Sequence, residues 1–139
     1  MKLSTSLSLA GLFALAIPMT GCIIATDAEP THSGISGLVT VDYTISGSTD
    51  PALCDTYGVT DVELVVYEDR GAYVTERYAP CEDFWVSVNL DPGLYNADLT
   101  LVDAGNRAMS ITKPLYSIDV YSDAELVIDV DFPPDSMLY

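Results

Sequence analysis

Histidine occurs once in this 139-residue chain, as His32, and tryptophan once, as Trp85. Only five lysines and arginines stand against 21 acidic residues, a formal net charge of −16. A Ser-His-Asp or Cys-His nucleophile needs a histidine held rigidly beside it. His32 falls in a stretch of Thr, Asp, Glu, Pro, Ser and Gly with no sustained apolar period, so chemistry of that kind is excluded. The shortage of cations excludes electrostatic binding to nucleic acid or to anionic lipid headgroups. Cysteine appears three times, with no Cys-x-x-Cys pair and no second histidine, so neither a redox motif nor a zinc site is indicated. Beyond residue 26 no long apolar run and no convincing amphipathic helix appears. These absences lead to the expectation of a protein that is not an enzyme and holds no cofactor.

What is present begins at the N-terminus. Lys2 is followed by an uncharged span from Leu3 to Thr26, with an apolar stretch from Leu7 to Ile17 and a turn-prone segment from Pro18 to Gly21 before Cys22. This is the order of parts of an export signal. The local sequence Ile17-Pro18-Met19-Thr20-Gly21-Cys22 resembles the lipobox of bacterial lipoproteins, with Met19 standing where that family usually has Leu, Val or Ile. The resemblance implies that Cys22 takes a diacylglycerol, and a fatty acyl chain such as palmitate, and becomes the first residue of the mature protein. Its partner is then the lipid bilayer, to which the chain is anchored without spanning it. An uncleaved transmembrane helix is the competing reading, opposed by Pro18 and Gly21. Plain secretion is the third, and it would leave Cys22 as an exposed thiol.

The expected organisation is a signal peptide at 1-21, an acylated tether at 22-36 and one folded domain at 37-139. Removing the signal takes away one lysine and none of the 21 acidic residues, so the acid excess grows by one. The remainder, roughly 118 residues, suits a single core. With Cys22 lipidated, Cys54 and Cys81 are left as a pair, and an exported chain favours their disulfide.

Beyond Gly37 the pattern is period-two alternation with β-branched and aromatic residues, broken by Gly, Pro, Asp and Asn. Val39, Val41, Tyr43 and Ile45 share one face of a first strand, and Val62, Leu64 and Val66 open a second. Asp69-Arg70-Gly71 is a hairpin turn into a third strand, Tyr73 to Tyr78, so a Cys54–Cys81 bond would tie the entrance of that hairpin to its exit. Phe84, Val86, Val88 and Leu90 alternate on a fourth strand, and Tyr95, Ala97, Leu99 and Leu101 on a fifth. Met109 and Ile111 belong to a sixth, interrupted at Pro114, and Leu126, Ile128, Val130 and Phe132 form the last. About seven strands in this length predict an all-β fold, a single two-sheet antiparallel β-sandwich.

The run Leu90-Asp91-Pro92-Gly93-Leu94-Tyr95 resembles the Leu-x-Pro-Gly-Tyr hairpin of transthyretin-like and carboxypeptidase-regulatory-like sandwiches, with Leu94 inserted before the tyrosine. Ser36 to Thr40 and Gly58 to Tyr67 look like the first two strands of that group. The whole chain is similar to small envelope lipoproteins of unassigned function from myxobacteria and related Gram-negative bacteria. The resemblance implies a transthyretin-like or Ig-like architecture and little chemistry. Related pilin and adhesin domains form internal Lys-to-Asn bonds from a first-strand lysine. This chain has none there; Lys113, its one lysine past the signal, lies beside Pro114.

Three groups remain as candidate sites. Asp129 and Asp131 alternate on the polar side of the last strand and are expected to face solvent rather than form a glycosidase pair. Asp119, Asp123, Glu125, Asp129, Asp131 and Asp135 supply calcium-type oxygen ligands without EF-hand spacing, and no metal site is expected. Trp85 alternates against Phe84 and Val86, so it points outward if they point inward, and it is then expected to form a contact surface with Tyr67 or Val65. The expected function is a non-enzymatic structural or binding module of the cell envelope, lipid-anchored in the outer membrane of a Gram-negative bacterium. Its partner is an envelope protein or a glycan. The alternative is a carbohydrate-binding accessory or enzyme acting on envelope glycans.

Overall fold

The computed structural model describes residues 34–138; Cys22 and His32 lie outside them. The first strand, β1 (Gly37–Ile45), buries Val39, Val41, Tyr43 and Ile45 and turns Thr40, Asp42 and Thr44 the other way, as strict alternation on a half-buried strand requires. It is the middle strand of a three-stranded sheet. On one side it pairs antiparallel with β4 (Trp85–Leu90), and on the other with β7 (Glu125–Phe132). The second sheet has the order β3 (Tyr73–Pro80), β2 (Asp61–Glu68), β5 (Gly93–Val102), β6 (Lys113–Val120). Seven strands in two sheets make the expected all-β sandwich.

The core lies between the sheets. Val62, Leu64 and Val66 of β2 and Ala97, Leu99 and Leu101 of β5 meet the inward residues of β1, β4 and β7. Tyr43 sits among aromatic rings, with the Phe84 centroid at 5.5 Å and the Phe132 ring perpendicular at 6.0 Å. Full burial of such side chains stabilises by about 1.5–3 kcal/mol each before entropy is counted. No buried side-chain nitrogen or oxygen among the described residues lacks a hydrogen-bond partner.

Four features depart from the sequence reading. The β1–β7 pair is parallel, so the sandwich is not wholly antiparallel. A parallel neighbour needs a long crossover, and here the rest of the sandwich lies between the two strands. The segment carrying Cys54 is a short helix, α1 (Ala52–Tyr57), ended by Gly58 in the left-handed conformation at φ 67°. The sixth strand starts at Lys113 and contains Pro114, while Met109 and Ile111 precede it. Proline is tolerated there because β6 is the edge of its sheet. Finally, Asp91-Pro92-Gly93 does not close a hairpin. It carries the chain from β4 in one sheet to β5 in the other, and the Tyr95 hydroxyl donates to the Asp91 carbonyl across it at 2.9 Å.

Candidate functional site

A single backbone turn leads the chain into the lone tryptophan. The chain leaves β3 through a 3₁₀ turn, Cys81–Asp83, that ends at Phe84 in the left-handed region, φ 58°. An aromatic residue adopts that conformation only when its surroundings hold it there. Here the Phe84 ring packs on Tyr43, and the Phe84 carbonyl accepts the Tyr43 N–H at 2.9 Å. Along β4 itself Val86, Val88 and Leu90 face the core, so alternation turns Trp85 outward, 47% exposed.

On the outer face of the three-stranded sheet, Trp85 stands opposite Asp42, and Asp42 stands beside Asp129. Side chains so paired are within reach of one another. Glu82 and Asp83 from the 3₁₀ turn and Asp131 from β7 complete the walls of an open groove of about 780 Å³. No residue lining it is basic. Asp131 is engaged: its Oδ1 accepts the Thr44 hydroxyl at 2.6 Å and the Gly47 N–H at 2.9 Å. The Thr44 bond first, then the Gly47 bond, hold its carboxyl below the usual range. It fixes the wall. The carboxylates of Asp42, Glu82, Asp83 and Asp129 make no hydrogen bond or ion pair among the described residues.

Trp85 and Tyr67 do not form one surface. Tyr67 lies on β2 of the four-stranded sheet, opposite Tyr73 and Asn96, whereas Trp85 belongs to the other sheet. The physical reason is that β4 pairs with β1 and not with β2, a choice made by tertiary packing. Exposed phenols do gather around Tyr67's sheet: Tyr73 is exposed, and Tyr78 donates to the Glu63 carboxylate at 2.6 Å. That bond pushes the Tyr78 hydroxyl up to about 12. Asp129 faces outward, as the alternation requires, and the acidic residues of the C-terminal third are dispersed. Asp119 is on β6, with Asp129 and Asp131 on the other sheet. Among the described residues, no group of three or more His, Cys, Asp or Glu side chains is placed to hold a metal ion.

Cys54 and Cys81 are joined, with Cα atoms 6.0 Å apart. The bond pins α1 to the 3₁₀ turn that presents Glu82 and Asp83, so it also steadies one wall of the groove. Asp42, on the polar face of β1, is a site residue with no local sequence signal, because nothing in β1 or β4 alone sets which strands pair. Cys22 lies outside the described residues. Among those residues no helix is long and apolar enough to cross a membrane.

No protein-family model matches this chain, and no curated protein does. Among solved structures, the TIE protein of Bacillus anthracis is similar over 70% of this chain and 16% of its own, at 14% identity and a TM-score of 0.42. A proposed polysaccharide-binding protein (DUF1812) of Bacteroides thetaiotaomicron is similar over 66% of this chain and 46% of its own, at 12% identity and a TM-score of 0.38. The chain therefore spans less than half the length of each of these proteins, and the functional reading rests on the groove itself.

Proposed function

We propose that this protein is a lipid-tethered, non-enzymatic binding module of the cell envelope, resembling the small lipoproteins of myxobacteria-like Gram-negative bacteria. Acylated Cys22 holds it to the outer membrane, and the groove around Trp85 is its contact site. The observation that carries the reading is Trp85 itself, half exposed beside a concave wall of carboxylates. Single exposed aromatic residues are ordinary. An indole set into a groove, backed by a left-handed phenylalanine packed in the core, is a rigid anchor of the kind that carries contact energy. The strong acidity keeps a tethered domain soluble and repels polyanions.

Carbohydrate recognition is a second reading. The specific observation favouring it is that Asp42 stands next to the indole and Asp129 next to Asp42 in one row across the sheet, where a sugar ring could stack on Trp85 while its hydroxyls donate to the carboxylates.

The test is site-specific photo-cross-linking in intact cells with Trp85 kept, the photoreactive residue standing at the exposed groove position 49 or, on the opposite sheet, at position 116. Adducts from position 49 and none from position 116 are expected. Equal yields from both positions, or none from either, would contradict a contact role for the groove.

A further inference from the structure

The groove combines a fixed, half-exposed indole with an imbalance of charge. Trp85 faces a site whose lining includes five carboxylates and no basic residue. Four of the five, Asp42, Glu82, Asp83 and Asp129, have no ion pair or hydrogen bond among the described residues. Asp42 and Asp129, paired on adjacent strands, repel one another, and a cation brought against them relieves that repulsion. An indole face attracts cations through its quadrupole, so both components of the site favour the same sign of ligand. The carboxylates are spread along β1, β7 and the 3₁₀ turn and do not converge to hold a metal ion. A single small ion therefore satisfies the site poorly, while a ligand carrying positive charges at intervals matches it.

Arginine fits better than lysine. Its planar guanidinium stacks on an aromatic face while its N–H groups donate to a carboxylate in bidentate fashion, and Asp42 lies directly across the strand pair from Trp85. Resting on the reading of this groove as a contact site, we infer that its occupant is an arginine-bearing segment of a protein partner, seated with a guanidinium between Trp85 and Asp42. A neutral glycan would use the indole but leave the charge imbalance in place.

Because Trp85 is the chain's one tryptophan, its fluorescence, excited at the red edge of the indole band where the tyrosines do not absorb, reports the groove. The probes are a peptide alternating Arg and Gly, its Gln-for-Arg and Lys-for-Arg counterparts, and a neutral hexasaccharide. The Arg peptide is expected to change the emission saturably, to bind more tightly than the Lys peptide, and to weaken as salt is raised. Asp42→Asn is expected to weaken it about threefold to fivefold with an unchanged melting temperature. Trp85→Ala, followed by calorimetry, is expected to remove the preference for Arg over Lys.

Equal binding of the Gln and Arg peptides would overturn the inference. So would salt-independent binding of the hexasaccharide alone, although the groove would then stand as a contact site. Silence of every probe, with cross-links from position 49 still seen in cells, would overturn the arginine inference only. Silence together with no cross-links would overturn both.

Discussion

The Tyr43 hydroxyl donates a 2.8 Å hydrogen bond to the carbonyl of Cys81, inside the protein and 38 residues away in sequence. It joins the central strand of one sheet to the disulfide corner that follows β3 of the other. The same carbonyl accepts the Phe84 N–H at 3.1 Å, and Tyr43 donates its own N–H to Phe84. One tyrosine thus supports both the corner carrying Glu82 and Asp83 and the turn that leads into Trp85.

Tyr43→Phe keeps the ring packing and removes only that bond. Since the Cys81 carbonyl retains Phe84 as a donor, the expected loss is about 1 kcal/mol. For a domain of this size that is a fall in melting temperature of about 4–8 °C, measurable by calorimetry.

Alkaline pH acts on the same group. Burial, and then the nearby Asp83 and Asp61, push the Tyr43 hydroxyl well above its ordinary value of 10.0. The stabilisation held by the neutral phenol is full below that ordinary value and is lost as pH rises toward the folded-state value above it. Denaturant unfolding is therefore expected to show stability declining above pH 10, with a shallower decline in Tyr43→Phe.

Reducing the Cys54–Cys81 bond opens a loop closed across a separation of 27 residues. The chain-entropy relation puts the loss at about 3.5 kcal/mol. A Cys54→Ser, Cys81→Ser double variant is expected to show a matching drop in denaturant midpoint and to become insensitive to reductant.

At the start of β1, a Cβ on Gly37 would meet the Tyr121 carbonyl oxygen and stand 2.6 Å from Val120 Cγ1. Backbone cannot yield as a flexible side chain can, so Gly37→Ala is expected to cost about 1–3 kcal/mol. Gly34→Ala meets nothing within 4 Å and should leave the melting temperature unchanged.

The inward faces of β1, β2 and β4 were legible because each alternates without interruption, and the hairpin at Asp69 to Gly71 because its turn residues are local; in β5 the alternation gives way at Leu99 to Val102, all four of which are buried. Strand partners were not. Nothing in β1 or β7 alone announces that chain ends so far apart pair in parallel. Met109 and Ile111 mimic a strand, yet the neighbouring pairing with β5 falls on Lys113 to Val120, where an edge position accommodates Pro114. Trp85's outward direction followed from alternation, but its neighbours Asp42, Glu82 and Asp83 followed from pairing and from the left-handed Phe84. Sites built across strands that are distant in sequence stay hidden until the register is known.

Tethering through Cys22 is tested most directly by the intact mass of the protein isolated from its own membrane fraction. The expected mass lacks residues 1–21, keeps the Cys54–Cys81 disulfide and includes a diacylglyceryl addition on Cys22. A chain lacking residues 1–21 and any acyl mass would contradict it.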